Sequence, residues 1–308
     1  MMVDDMQTGQ FIDAGVLKDF KEIMESSRSC PSSVGPSAIR GFIAQHGLLE
    51  KLDDALGQME HLDGKRLIIV EGVRYVGKST LANSLKTDFG YPVISSLGAI
   101  SSIYRATGIL EKELDRDTAQ VGFLFYLVSR LEGIHEAVHK ASATNSEYVV
   151  LDSSLMRVIA TQFAVLDFKR NANGAALTGE DIAMDELLRY ARDSIIDVFA
   201  KASRNVVFVF AFADPVTLSK HMLRRNGQMP GGVSQQLSVL GSMRLTELEH
   251  MLKARNIPLI EVNSVSGFDD GATGGIPYDF KLVQIDTEDS AFDAHMKSLG
   301  IGTLLRMR

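Results

Sequence analysis

Residues 65–80 read KRLIIVEGVRYVGKST. An unbroken apolar run, 67–70, ends at Glu71 and Gly72; four residues later come Gly77, Lys78, Ser79 and Thr80. The run has the character of a strand buried on both faces. The following GKSTLANSLKTDF (77–89) opens a helix. Gly72, Gly77, Lys78 and Ser79 fit the pattern G-x-x-x-x-G-K-[ST] in the strand–loop–helix setting where it works. Glycines let the backbone bend so that several N–H groups converge on an anion. The helix adds its positive N-terminal end. Lys78 is placed to reach β- and γ-phosphates, and the Ser79 hydroxyl to ligate Mg²⁺. Val76 and Thr80 complete the set expected to line the nucleotide. The expected ligands are ATP and Mg²⁺.

Outward from this loop the text alternates. Strand-like runs fall at 66–72, 91–96, 147–152, 205–214 and 257–264, with helical segments between them. This alternation predicts an α/β fold with a parallel sheet covered on both faces. The specific expectation is a three-layer P-loop NTPase fold with a five-stranded parallel sheet in order 2-3-1-4-5. GQMPGGVSQQ (227–236) reads as a Gly/Pro-rich loop, part of a mobile lid at about 226–236. Residues 1–62 read as a helical N-terminal extension, 63–264 as the P-loop domain and 265–308 as a C-terminal extension. In the last, YDFKLVQID is a candidate extra strand.

Composition narrows the partners. The chain has 308 residues, 45% hydrophobic and 23% charged, with net charge −7. An acidic balance weighs against a nucleic-acid coat or an anionic-membrane binder, although a local basic groove stays open. Cys30 is the single cysteine, so neither an intramolecular disulfide nor a cysteine-cluster metal site forms. The start of the chain has no basic-then-apolar signal pattern, and the apolar stretch VVFVFAFA (206–213) is too short to span a bilayer. The expectation is a cytoplasmic protein, with a homodimer possible.

Several further stretches carry chemistry-bearing residues. EYVVLD (147–152) ends a buried run on Asp152, at the edge where α/β sheets bind ligands. A carboxylate there positions Mg²⁺ water or accepts a hydroxyl proton; it equally suits a helix N-cap. Arg130 lies mid-helix among apolar residues and needs an acceptor, either a ligand or a salt bridge. Tyr126 sits one turn earlier on the same face, placed to stack a base or simply to pack in the core. Gln162 suits a base edge or a structural role. Arg224 and Arg225 end a helix before the lid, where they serve a transferring phosphoryl group or only the helix dipole.

With these residues in view, the chain resembles the thymidylate kinases and their deoxynucleoside-kinase relatives over roughly residues 65–264. EGVRYVGKST is similar to that family's phosphate loop. FLFYLVSRLEGIHEAV (123–138) resembles the helix of form L-L-F-x-A-x-R, which puts Tyr126 and Arg130 on its base-contacting places. VVLDSSLMRVIATQ (149–162) resembles D-R-Y-x-x-S-x-x-A-Y-Q, matched at Asp152, Ala160 and Gln162. FADPVTLSKHMLRRNG resembles the strand, Asp-Pro and helix before the lid. The resemblance implies that Arg105 borders the acceptor phosphate, with a solvated arginine as the alternative. It also implies that the loop's Arg74 assists transfer, although the position is usually acidic and Tyr75 stands where an arginine is common. Ser153 replaces the arginine that holds the acceptor monophosphate. Either Arg157, in place of the family's serine, substitutes for it, or the acceptor carries no phosphate there.

The implied activity is transfer of the γ-phosphoryl of ATP to a nucleotide or nucleoside, deoxypyrimidine type favoured. Lys78, Asp152, Arg74, Arg224 and Arg225 would carry the chemistry, and Arg105, Tyr126, Arg130, Arg157 and Gln162 would bind the acceptor. Ser79 and Asp152 would serve the metal. The alternatives are a kinase of a hydroxymethylated base in DNA, a regulatory P-loop NTPase, and a degenerate kinase fold used for assembly. A nucleic-acid acceptor is possible but not favoured, given the charge.

Overall fold

The apolar runs pair as parallel strands. In this computed structural model, which describes residues 12–29, 34–108, 119–173, 177–226, 231–266 and 278–286, β1 (Arg66–Glu71) lies at the centre. β2 (Val93–Ser95), β3 (Tyr148–Asp152), β4 (Val206–Phe212) and β5 (Leu259–Ser266) complete a parallel sheet of order β2-β3-β1-β4-β5. β3 is buried along its whole length and β1 nearly so, which is why both read as continuous apolar text rather than alternation. β6 (Tyr278–Asp286) adds an antiparallel edge to β5, so YDFKLVQID is indeed a strand. The remainder of the C-terminal extension lies outside the described residues.

Helices flank the sheet in an arrangement compatible with three α/β layers. They are α4 (Lys78–Phe89), α5 (Ser96–Thr107), α6 (Ala119–Ala143), α7 (Leu155–Asn173), α8 (Gly179–Lys201), α9 (Pro215–Asn226) and α10 (Gly232–Ala254). α4 packs on β1, β2 and β3, and α6 also lies against these strands. α7 packs along α10, α6 and α8. Of the loop expected at 227–236, residues 227–230 lie outside the described residues, and 232–236 are not loop but the start of α10.

The segment before β1 forms α1 (Ala14–Ser29), α2 (Pro36–Gln45) and α3 (Leu48–Met59). α3 packs on α6 and α8, α2 on α8, and α1 on α5. Phe20, Ile39, Leu48 and Leu52 have no exposed surface and share the core with the sheet helices. Phe20 meets the Phe125 ring of α6 at 6.2 Å. Each such buried side chain contributes about 1.5–3 kcal/mol, so these helices are bound into the body by apolar burial.

The strand order places a switch point between β1 and β3. From β1 the chain crosses to one side of the sheet, and from β3 to the other. Crevices of this kind open at the carboxyl ends of the strands. The register sets Val70 opposite Asp152, so Glu71 and Asp152 emerge together at that edge. Among the described residues no helix is long and apolar enough to cross a membrane.

Candidate functional site

The turn after β1 is shaped by crowding. Gly72 has φ 152°, and a Cβ there would meet the Ala211 carbonyl oxygen at 2.6 Å and Val76 Cγ1 at 2.7 Å. Only glycine lets the chain leave β1 so close to β4. Gly77 at φ 95° sets the first turn of α4, which has no side-chain cap. The leading amides of α4 are therefore left for an anion rather than consumed by a capping oxygen. Tyr75, a non-glycine residue, is held at φ 70°. Such strain costs roughly 1–2 kcal/mol and persists only where neighbours enforce it.

Two side chains of the loop have partners that fit a phosphate site at rest. The buried Lys78 ammonium donates to the Val73 carbonyl at 2.7 Å, inside the loop it would serve. Burial drives its pKa well below the ordinary lysine value, with Arg157 acting in the same direction and Asp152 against it. Ser79 Oγ donates to Asp152 Oδ2 at 2.6 Å. That bond joins the loop to the end of β3 across 73 residues. A hydroxyl held by a carboxylate at a helix N-terminus suits Mg²⁺, which takes few protein ligands and keeps the rest for water and phosphate. Among the described residues no group of three acidic, histidine or cysteine side chains gathers to cage a metal by itself. Ser79 with Asp152 behind it is the set that fits the ion. Val76 is fully buried in the loop and Thr80 partly exposed beside it.

Opposite the loop lies a cluster whose charges do not balance. Arg130 of α6 is 5% exposed, and its Nε and Nη1 have no hydrogen-bond partner among the described residues. Burial, then the proximity of Arg157, push its pKa down to about 10. Arg157, half-buried in the first turn of α7, is lowered mainly by burial while Glu71 pulls it up and Arg74 down. Tyr126 lies within electrostatic reach of both arginines and meets the Phe125 ring edge-on at 5.6 Å. Arg74 is exposed, its guanidinium 5.5 Å from the Tyr75 ring centre. Tyr126, Arg130, Arg157, Arg74, Lys78 and Asp152 thus form one cluster linked by electrostatic reach.

Other expected residues do not converge. Arg105 is exposed in the last turn of α5, whereas the crevice lies at the β2 end of that helix. Gln162 is buried in α7 but stands about 140° around the helix from Arg157, on a different face. Arg224 and Arg225 lie in the last turn of α9, and their side chains are outside the described residues.

Two residues the sequence reading left unassigned support the site, Glu71 within the cluster and His221 against the outside of the loop. Glu71 is wholly buried; its Oε1 accepts from the Ser154 backbone N–H at 2.9 Å and from the Ser154 hydroxyl, while Oε2 has no partner among the described residues. Burial raises its pKa, opposed by the Ser154 bonds and by Lys78 and Arg130. This clasp fixes the turn that contains Ser153, a buried non-glycine at φ 74° with an unpartnered hydroxyl among the described residues. Its only advance sign was an acid ending an apolar strand. His221, on α9, is 2% exposed and contacts the loop itself; no local sequence signal marks it.

No protein-family model matches the chain, and no curated protein matches it at a significant level. The site therefore rests on its own chemistry. One flank is the glycine-bounded loop before α4, joined by Ser79 and Asp152 to a strand end. The other carries Arg130 and Arg157, with Glu71 and Asp152 within electrostatic reach of both.

Proposed function

We propose that the protein is a phosphotransferase that moves the γ-phosphoryl of Mg-ATP to a phosphate-bearing nucleotide acceptor, deoxypyrimidine type favoured. The observation that carries this reading is Arg130: a guanidinium deep in the crevice, unpartnered among the described residues, facing the same space as Lys78 and Asp152. Burying a cation without a partner is costly, so its native environment includes an anion that arrives from outside. A hydrolytic switch has no use for a second set of buried cations opposite its phosphate loop. An acceptor phosphate satisfies Arg130 and Arg157 together, and Arg157 offers the guanidinium that Ser153 lacks.

Positioning then does most of the work. The loop amides and the N-terminus of α4 bind the β- and γ-phosphates. Lys78 exchanges the Val73 carbonyl for phosphate oxygens. Arg130 and Arg157 hold the acceptor phosphate, and Tyr126, one turn from Arg130, lies beside the base. An acceptor oxygen bonds to the γ-phosphorus as the bond from that phosphorus to the β–γ bridging oxygen breaks, leaving ADP. Lys78 and Arg157 offset the charge that spreads over the transferring group. Ser79 and Asp152 would hold Mg²⁺, which when bound neutralises the triphosphate and fixes its geometry.

The test is incubation with labelled ATP and Mg²⁺ against deoxynucleoside monophosphates, nucleosides and hydroxymethylated DNA. Label is expected on a monophosphate. Label only in inorganic phosphate would replace this reading with a regulatory NTPase, and label on DNA with a base kinase.

A further inference from the structure

The phosphate loop is held from outside by α9. Asp214 caps that helix, its Oδ1 accepting from the Val216 and Thr217 amides at 2.9 and 3.0 Å. Thr217, Leu218, His221 and Met222 form its buried stripe. In its second turn, Ser219 accepts from Gln235 of α10 at 3.2 Å. α9 thus runs from the end of β4 to the segment that leads into α10, with its inner face on the loop.

On that face His221 Nδ1 lies 3.1 Å from the Tyr75 carbonyl oxygen. A carbonyl only accepts, so the ring carries its proton on Nδ1. The partners are 146 residues apart in sequence and the histidine is almost wholly enclosed. Tyr75 is the loop residue forced to positive φ without being glycine. The peptide that follows it is planar and trans, so its C=O and N–H point in opposite directions. Fixing the Tyr75 carbonyl outward on α9 turns the Val76 N–H the other way, into the hollow of the loop.

We infer that His221 is a positioning residue for nucleotide binding: by anchoring the Tyr75 carbonyl it aims the Val76 amide at the nucleotide's phosphates and couples the loop to α9. The inference rests on the phosphate-loop reading above. It assigns His221 no contact with substrate.

The test compares two polar variants of similar bulk in the full chain. In His221→Asn the side-chain amide nitrogen lies near the place of Nδ1; in His221→Gln it reaches instead toward Nε2. Mg-ADP and Mg-pyrophosphate affinities are measured by calorimetry, with thermal unfolding in parallel. His221→Asn is expected to bind within about threefold of the parent, and His221→Gln roughly tenfold more weakly for both ligands. Equal weakening in both variants, or none in either, overturns the inference and leaves a packing role. If the parent chain binds neither ligand, the phosphate-loop reading fails first. Parent binding with indifferent variants removes the role of His221 alone.

Discussion

Two arginines, on helices that both pack against α7, have opposite surroundings. In the seam between α7 and α10, Arg244 sends Nε and Nη2 to the two carboxylate oxygens of Asp167, both at 2.6 Å, and Nη1 to Glu247 at 2.7 Å. It also lies 5.3 Å over the Phe163 ring. These bonds, Asp167's first, raise its pKa. In the crevice, Arg130 is more deeply buried, has Arg157 as well as Glu71 and Asp152 within electrostatic reach, and keeps two nitrogens unpartnered among the described residues. One guanidinium holds the fold together with partners the chain supplies. The other makes physical sense once a ligand supplies them. A bidentate pair is what a stabilising arginine looks like here, and Arg130 departs from it in every respect.

The sharpest break would come at the loop that shares the crevice with Arg130. Lys78→Ala should lower kcat on the order of a hundred- to a thousandfold, since it removes the cation nearest the transferred group. Single-turnover transfer measures it, and a fully active variant would remove the assigned role. The next largest effect should follow Arg130→Met. Acceptor KM is expected to rise roughly ten- to a hundredfold, while the ligand-free protein melts no lower than the parent, because an uncompensated charge has been taken out of the core. A marked loss of ligand-free stability would instead make Arg130 a structural residue like Arg244.

Arg244→Met should reverse that profile. The folded state is expected to lose about 1–3 kcal/mol in urea unfolding, with kinetic constants per folded molecule unchanged. The smallest effect concerns Glu71. Its buried carboxyl titrates above the ordinary value of 4.5, so the native state retains a proton there that the unfolded chain releases first. The stability this contributes is fully present below that ordinary value and is lost as pH rises through the native one. Glu71→Gln keeps an acceptor for Ser154 but carries no charge. Its unfolding free energy should fall less than the parent's between pH 4 and 8, a range chosen to bracket the lower end of that window. Parallel curves for the two proteins would show that Glu71 ionises normally in the fold.

The expectations drawn from sequence differ in outcome for physical reasons. The loop at 72–79 was legible because all its parts are contiguous: a buried strand, glycines where the backbone must turn, and a helix start. Tyr126 and Arg130 were legible as a pair because helical spacing alone puts them one turn apart. The sixth strand was visible as an apolar-alternating run. For Arg105 the resemblance named a helix but not a distance along it, and the residue stands exposed in that helix's last turn. The expectation for Gln162 depended on which side of α7 meets the crevice, and helical phase puts it away from Arg157. The helices before β1 read as an extension, yet Phe20 and Leu52 are wholly buried with the rest. An amphipathic pattern announces a buried face without naming what covers it.

By itself, then, the sequence determined the strand order's raw material, the anion-binding turn and the helical pairing of an aromatic with a cation, since each depends on residues within a few turns of one another. Only the tertiary structure decided that Asp152 holds Ser79, that Glu71 clasps Ser154, that Arg157 comes within reach of Glu71 and Asp152, and that His221 grips the Tyr75 carbonyl. Those contacts join residues 73, 83 and 146 positions apart in the bonded cases. They exist because a parallel sheet gathers its strand ends along one edge, a convergence that chain-local patterns do not encode.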